Sequence, residues 1–201
     1  MWEIINDAGW PIWPLIFTSV IGFAIILERL FSLRDSIIVP SQLLPDLEVQ
    51  IKVGVIKKEE IERLGKNSLA GLMMATVIKN QGKSLEVLND AVIKIGDSIS
   101  HKLEKNLHIL AMISTVAPLL GLFGTIVGMV ELFSSFTSTG HDVEMFARGI
   151  SVALYNTAGG IVVAIPAMIS HRFFRAKIDQ QIQTMEEQAT QLIDLITSER
   201  K

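Results

Sequence analysis

Three stretches of the chain are apolar for long enough to cross a bilayer, and the segments between them alternate apolar with charged positions. The first runs from Trp10 to Leu27 and is closed by Glu28, Arg29 and Arg34. Pro11 and Pro14 sit in its opening turns, where a missing N–H is least costly. Trp2, Trp10 and Trp13 precede or begin it, as an aromatic belt at one membrane face would. The leading residues carry Glu3 and Asp7 but no Lys or Arg, and no small-residue cleavage site follows before the charges, so a retained helix is expected. The second run is Leu107 to Val130, ending at Glu131, and the third is Gly149 to Ser170.

Between the first and second runs, Pro40 and Pro45 separate a more polar region from the first helix. KKEEIERLG reads as a short exposed helix ending at Gly65, and Leu69 to Asn80 as a second. From Ser84 onward, Leu85, Leu88, Val92, Ile95, Ile99, Leu103 and Leu107 recur at spacings of three and four, one face of a helix. No proline intervenes, so a single long helix is expected to run into the second span, with Gly96 as a tolerable weak point. After Ser170 the positions Ile178, Ile182, Met185, Ala189, Leu192 and Ile196 keep the same spacing, extending the third helix well past the membrane.

The pattern defines an all-α polytopic membrane protein with three transmembrane helices, the second and third extended far into the cytoplasm. Its expected segments are an outer N-terminus and first span (1–31), a helical domain (32–106), a second span (107–133), a short loop (134–147), a third span (148–170) and a C-terminal helix (171–201). Arg29, Arg34, Lys102, Lys105, Arg172, Arg175 and Lys177 flank the spans on one side, against Arg148 alone on the other. The positive-inside rule then puts the middle domain and tail in the cytoplasm and the N-terminus outside.

Composition narrows the function. The 201 residues are 49% hydrophobic yet 19% charged, so part of the chain is wet. With no cysteine, disulfides, thiolate metal sites and cysteine nucleophiles are excluded. The net charge of −3 and the lack of a basic run with aromatics give no nucleic-acid surface. Phosphate-loop, zinc-protease and serine-elbow motifs are absent, so neither an enzyme nor a cofactor or metal is expected. His101, His108, His141 and His171 are scattered rather than clustered.

The second and third spans are unusual for lipid-facing helices. Ala117, Gly121, Thr125 and Gly128 lie close to one stripe of the second, with Gly124 beside it; the small ones among them, with Gly160 and Pro166 of the third, are expected as helix-packing positions. Pro118 also frees a carbonyl in the second span. Ser114, Thr115, Thr125, Ser151, Tyr155, Asn156 and Thr157 supply hydroxyls and an amide, and no Asp or Glu lies within Leu107–Val130 or Gly149–Ser170. Such groups either bond helix to helix, at about 1 kcal/mol each, or line a polar pathway. Ion-coupled membrane proteins usually hold a buried ionisable group, and here that group is missing.

APLLGLFGTIVGM at Ala117 to Met129 and GISVALYNTAGGIVVAIPA at Gly149 to Ala167 resemble the MotA/TolQ/ExbB proton-channel family, in its ExbB/TolQ-like branch. The ERLFSLR exit of the first span is similar to the same branch. The resemblance implies an inner-membrane homopentamer surrounding two single-span, ExbD- or TolR-like chains, whose helix supplies an Asp that takes and releases the proton. It puts Thr125 and Thr157 in the lumen facing that Asp; Tyr155, Asn156 and Ser114, singled out by residue type, are further candidates on the pathway. One position departs: many relatives have Glu in a GIxEAL run where this chain has Val152. The expected function is coupling of the proton motive force to work on the cell envelope. A non-conducting oligomeric scaffold is the alternative, and a small-solute transporter is disfavoured because three spans show no inverted repeat.

Overall fold

The computed structural model describes residue 5 and residues 7–53, 58–134, 136–137, 140–141 and 143–198; Trp2 and Glu3 lie outside them, as does part of the expected 134–147 loop. Its helices are α1 (Ile12–Ser32), α2 (Asp35–Ile38), α3 (Leu43–Val53), α4 (Lys58–Asn67), α5 (Leu69–Lys79), α6 (Leu85–Glu104), α7 (Leu107–Ser134) and α8 (Val143–Ser198). A two-residue antiparallel ladder, β1 (Phe136–Thr137) with β2 (Gly140–His141), lies between α7 and α8. Three helices, α1, α7 and α8, are long and apolar enough to cross a membrane, and the protein is an all-α, multi-pass membrane protein. The chain divides into two units: Met1–Glu28 with Asn106–Phe173, and Arg29–Lys105 with Phe174–Lys201.

The first unit contains most of α1, all of α7 and the N-terminal part of α8. Leu15, Ala117 and Ala164, one from each helix, form its buried cluster, with Ile12, Leu120 and Val163 against it. Large apolar side chains such as Phe17, Leu119 and Val162 point outward, the arrangement a lipid-facing bundle requires.

The second unit is built the other way round. Met73, Met74, Val77, Ile99, Ile178, Met185 and Leu192 are fully buried within it. Its centre is α5, whose N-cap Ser68 accepts a hydrogen bond from the Gly71 N–H at 3.0 Å. A Cβ on Gly71 would strike the Leu64 carbonyl, so α4 and α5 approach backbone to backbone there. Arg29 donates from Nη1 to the Leu103 carbonyl (2.9 Å), and buried Gln181 donates to the Leu33 carbonyl (3.0 Å). Lys177 pairs with Asp35 at 3.6 Å and Arg175 with Glu104 at 2.6 Å.

Three expectations are corrected. The helix that begins after Ser84 does not continue into the second span: it ends at Glu104, and Asn106 takes φ +69°, a left-handed turn that Asn tolerates. Residues 69–79 are not an exposed helix but the most buried one, and α4 continues through Gly65 to Asn67. The third helix starts at Val143, so the connection before it is shorter than 134–147.

Candidate functional site

The small-residue stripe of α7 is used within the chain, against α8. The two helices run antiparallel, with Ala117 and Gly121 beside Gly160, Gly124 beside Asn156, and Gly128 beside Gly149 and Ala153. A Cβ on Gly128 would lie 2.6 Å from the Gly149 carbonyl oxygen, and one on Gly160 2.7 Å from that of Ala117. Such contacts, closer than van der Waals spacing, mean that glycine is required for the backbones to meet. Pro166 does not join this seam; it is exposed and lines a shallow 250 Å³ groove with Gly22, Ile113 and Val163.

Thr125 and Thr157 flank the seam. Thr157 packs its backbone against Gly121, four residues and so one turn before Thr125. The two threonines therefore stand on adjacent turns of paired helices, both half-buried. Each hydroxyl already has a local acceptor: Thr125 Oγ1 donates to the Leu122 carbonyl at 2.6 Å and Thr157 Oγ1 to that of Ala153 at 3.2 Å. Their oxygen lone pairs are left to accept, the usual state of a hydroxyl bonded back to its own helix.

The other three candidates do not share this place. Ser114 is eleven residues before Thr125, roughly 16 Å along α7, and donates to the Ala111 carbonyl at 2.7 Å. Tyr155 precedes Thr157 by two residues, about 200° around the helix, and is exposed on another face. Asn156 is fully buried and its amide is engaged: Nδ2 donates to the Ala8 carbonyl at 2.7 Å and to the Val152 carbonyl at 2.8 Å. It belongs to the packing, not to a water-filled path, because its donors are satisfied by backbone. No periodicity could signal this, since the contact with Ala8 spans 148 residues of sequence.

The fold and seam define a class: a helical membrane protein whose second and third spans are locked at van der Waals distance, carrying hydroxyls and no carboxylate at their middle. The MotA/TolQ/ExbB proton channel family model matches residues 57–187, and the chain belongs to that family. It is 25% identical to the biopolymer transport protein exbB1 of Vibrio cholerae over 92% of this chain and 83% of that protein. A shorter match, 41% of this chain and 58% of the relative, reaches 39% identity with the biopolymer transport protein ExbB of Helicobacter pylori. The Tol-Pal system protein TolQ of Pseudomonas aeruginosa is 37% identical over 40% of this chain and 36% of its own length.

Proposed function

We propose that this protein is the ring-forming subunit of an ExbB/TolQ-like proton-driven motor in the bacterial inner membrane. The observation that carries the reading is the Thr125–Thr157 pair: two hydroxyls on adjacent turns of a tight helix seam, in a proton-channel family member with no carboxylate within Leu107–Val130 or Gly149–Ser170. A proton carrier must then come from another chain. A pentamer enclosing two ExbD/TolR-like helices, each bringing an Asp, supplies it. The names of its relatives, biopolymer transport and Tol-Pal system proteins, support work on the cell envelope as the output.

The hydroxyl geometry suggests how the pair acts. A protonated Asp donates its O–H to a threonine lone pair and leaves the helix bonds of Thr125 and Thr157 in place. An ionised Asp can only accept, so the hydroxyl must turn away from its own-helix carbonyl to meet it. Hydrogen bonds to charged groups contribute about 1.5–3 kcal/mol against about 0.5–1.5 for neutral ones, so the exchange is favourable. The threonines thus distinguish the two protonation states of the partner. Each proton that crosses releases roughly 2.3 kcal/mol per 100 mV, the energy available for moving that partner.

By the basic flanks, segments 32–106 and 171–201 face the cytoplasm and the N-terminus faces the periplasm. An impermeant thiol reagent on intact cells should label Val143→Cys and spare Lys66→Cys. The function itself is tested in liposomes. Vesicles holding this chain with its cognate single-span partner should pass protons, and vesicles holding either alone should not. A pair that conducts no better than empty vesicles would contradict the motor reading and favour a passive scaffold.

A further inference from the structure

The Asn156 side chain touches three separate segments of the first unit. Its Cβ and Cγ occupy the space that a side chain on Gly124 of α7 would need. Its amide donates to the Ala8 carbonyl of the N-terminal segment and to the Val152 carbonyl of α8. The N-terminal segment is itself held firmly at this point. Ala8 is fully buried, Gly9 adopts φ +70°, and the Trp10 ring meets Phe123 of α7 edge-on at 5.8 Å. A Cβ on Gly9 would touch Val152, so the segment lies directly along α8.

The two partners in this contact, Gly124 and Asn156, each immediately precede a threonine: Gly124–Thr125 on α7 and Asn156–Thr157 on α8. A wedge at this point fixes both the axial register and the relative rotation of the two helices where the hydroxyls stand. A slip of one residue would turn a threonine by about 100° and move it by about 1.5 Å. The Asn156 Oδ1 is buried with no partner among the described residues. A polar side chain with one unsatisfied oxygen is an expensive way to fill space, since a leucine of similar size would carry no unpaired polar atom of its own. What the amide does and leucine cannot do is tie Ala8 to the seam.

We infer that Asn156 is a positioning residue: wedged against Gly124 and tied to Ala8, it sets the register in which Thr125 and Thr157 are presented, and makes the N-terminal segment a support of that pair. The functional half of this inference rests on the reading of the two threonines as pathway residues, while the register half does not.

The native chain has no cysteine, so Thr125→Cys with Thr157→Cys gives a clean pair for a short thiol crosslinker within one chain. Crosslinking in the assembled complex should be efficient, and should fall at least fivefold when Asn156→Ala is added. Asn156→Ala with both threonines intact should lower proton flux by a comparable factor. If crosslinking falls and flux does not, the register role stands and the pathway reading of the threonines fails. If crosslinking is unchanged, the inference is overturned whatever the flux. Should Asn156→Ala not yield folded complex, Gly124→Ala decides, because its Cβ would meet the Asn156 side chain and push the wedge out of place. It should reduce crosslinking at least fivefold, and unchanged crosslinking would overturn the inference.

Discussion

The two units of this protein solve packing in opposite ways. In the unit that carries the spans, α7 and α8 meet at glycines, against backbone at Gly121, Gly128 and Gly160 and against the Asn156 side chain at Gly124, and many large apolar residues are on the outside. In the other unit the methionines, leucines and isoleucines are inside, around α5 and the C-terminal part of α8. The difference follows from the solvent each sequence is built for. Lipid offers no hydrophobic penalty to an exposed Phe, so association there depends on backbone proximity and dispersion. Water penalises apolar surface by about 25 cal/mol per Å², so large side chains are the ones worth burying. One helix, α8, follows both rules in turn: Gly149, Ala153 and Gly160 line its seam, then Ile178, Met185 and Leu192 line its core.

Substitutions that obey one rule and violate the other break this contrast. Gly128→Leu adds only apolar bulk, yet its side chain would enter the space of the Gly149 carbonyl. It should abolish pairing of α7 and α8 inside a single chain, so that no monodisperse protein is recovered in detergent, rather than merely dissociating an oligomer. Met74→Ala empties a fully buried site in the other unit and should cost about 2–5 kcal/mol, read as a lowered thermal midpoint of the purified protein. Val20→Asp, at an exposed position near the middle of α1, should cost about 3 kcal/mol of membrane insertion, while Ile93→Asp, as exposed on α6, should change stability by no more than about 0.5 kcal/mol. Insertion assays and thermal melts of the two variants check the contrast. Ser68→Ala removes the α5 cap and should cost roughly 1 kcal/mol by the same melt.

The periodic parts of this architecture were legible in the sequence. Three apolar runs and the heptad-like spacing of Ile178, Met185, Ala189, Leu192 and Ile196 correspond to helices whose buried faces are those residues. The break at Asn106 was not legible, because the apolar spacing continues through it from Leu103 to Leu107; only the tolerance of Asn for positive φ marked the place. Burial of α5 was missed because a short helix that is apolar nearly all round has no period to read. At the candidate site, residue type alone grouped Asn156 and Tyr155 with the threonines. The fold separates them, since one faces Gly124 and Ala8 and the other lies on a different side of α8. The small residues of α7 fell near one stripe in the sequence with Thr125 among them, but nothing in their spacing told that α8 would lie against Gly121, Gly124 and Gly128 and leave Thr125 beside that face.

On the proposed reading, Thr125 and Thr157 act together on a proton held by a partner chain. Replacing both by Val keeps their shape and removes the hydroxyls that now bond to the Leu122 and Ala153 carbonyls. Each lost bond is worth on the order of 1–2 kcal/mol, or about tenfold in rate. Proton flux into liposomes holding the Thr125→Val, Thr157→Val protein with its single-span partner should therefore fall by at least tenfold, with assembly size unchanged. Flux equal to that of the unsubstituted complex would contradict the claim and leave both hydroxyls as bonds within their own helices.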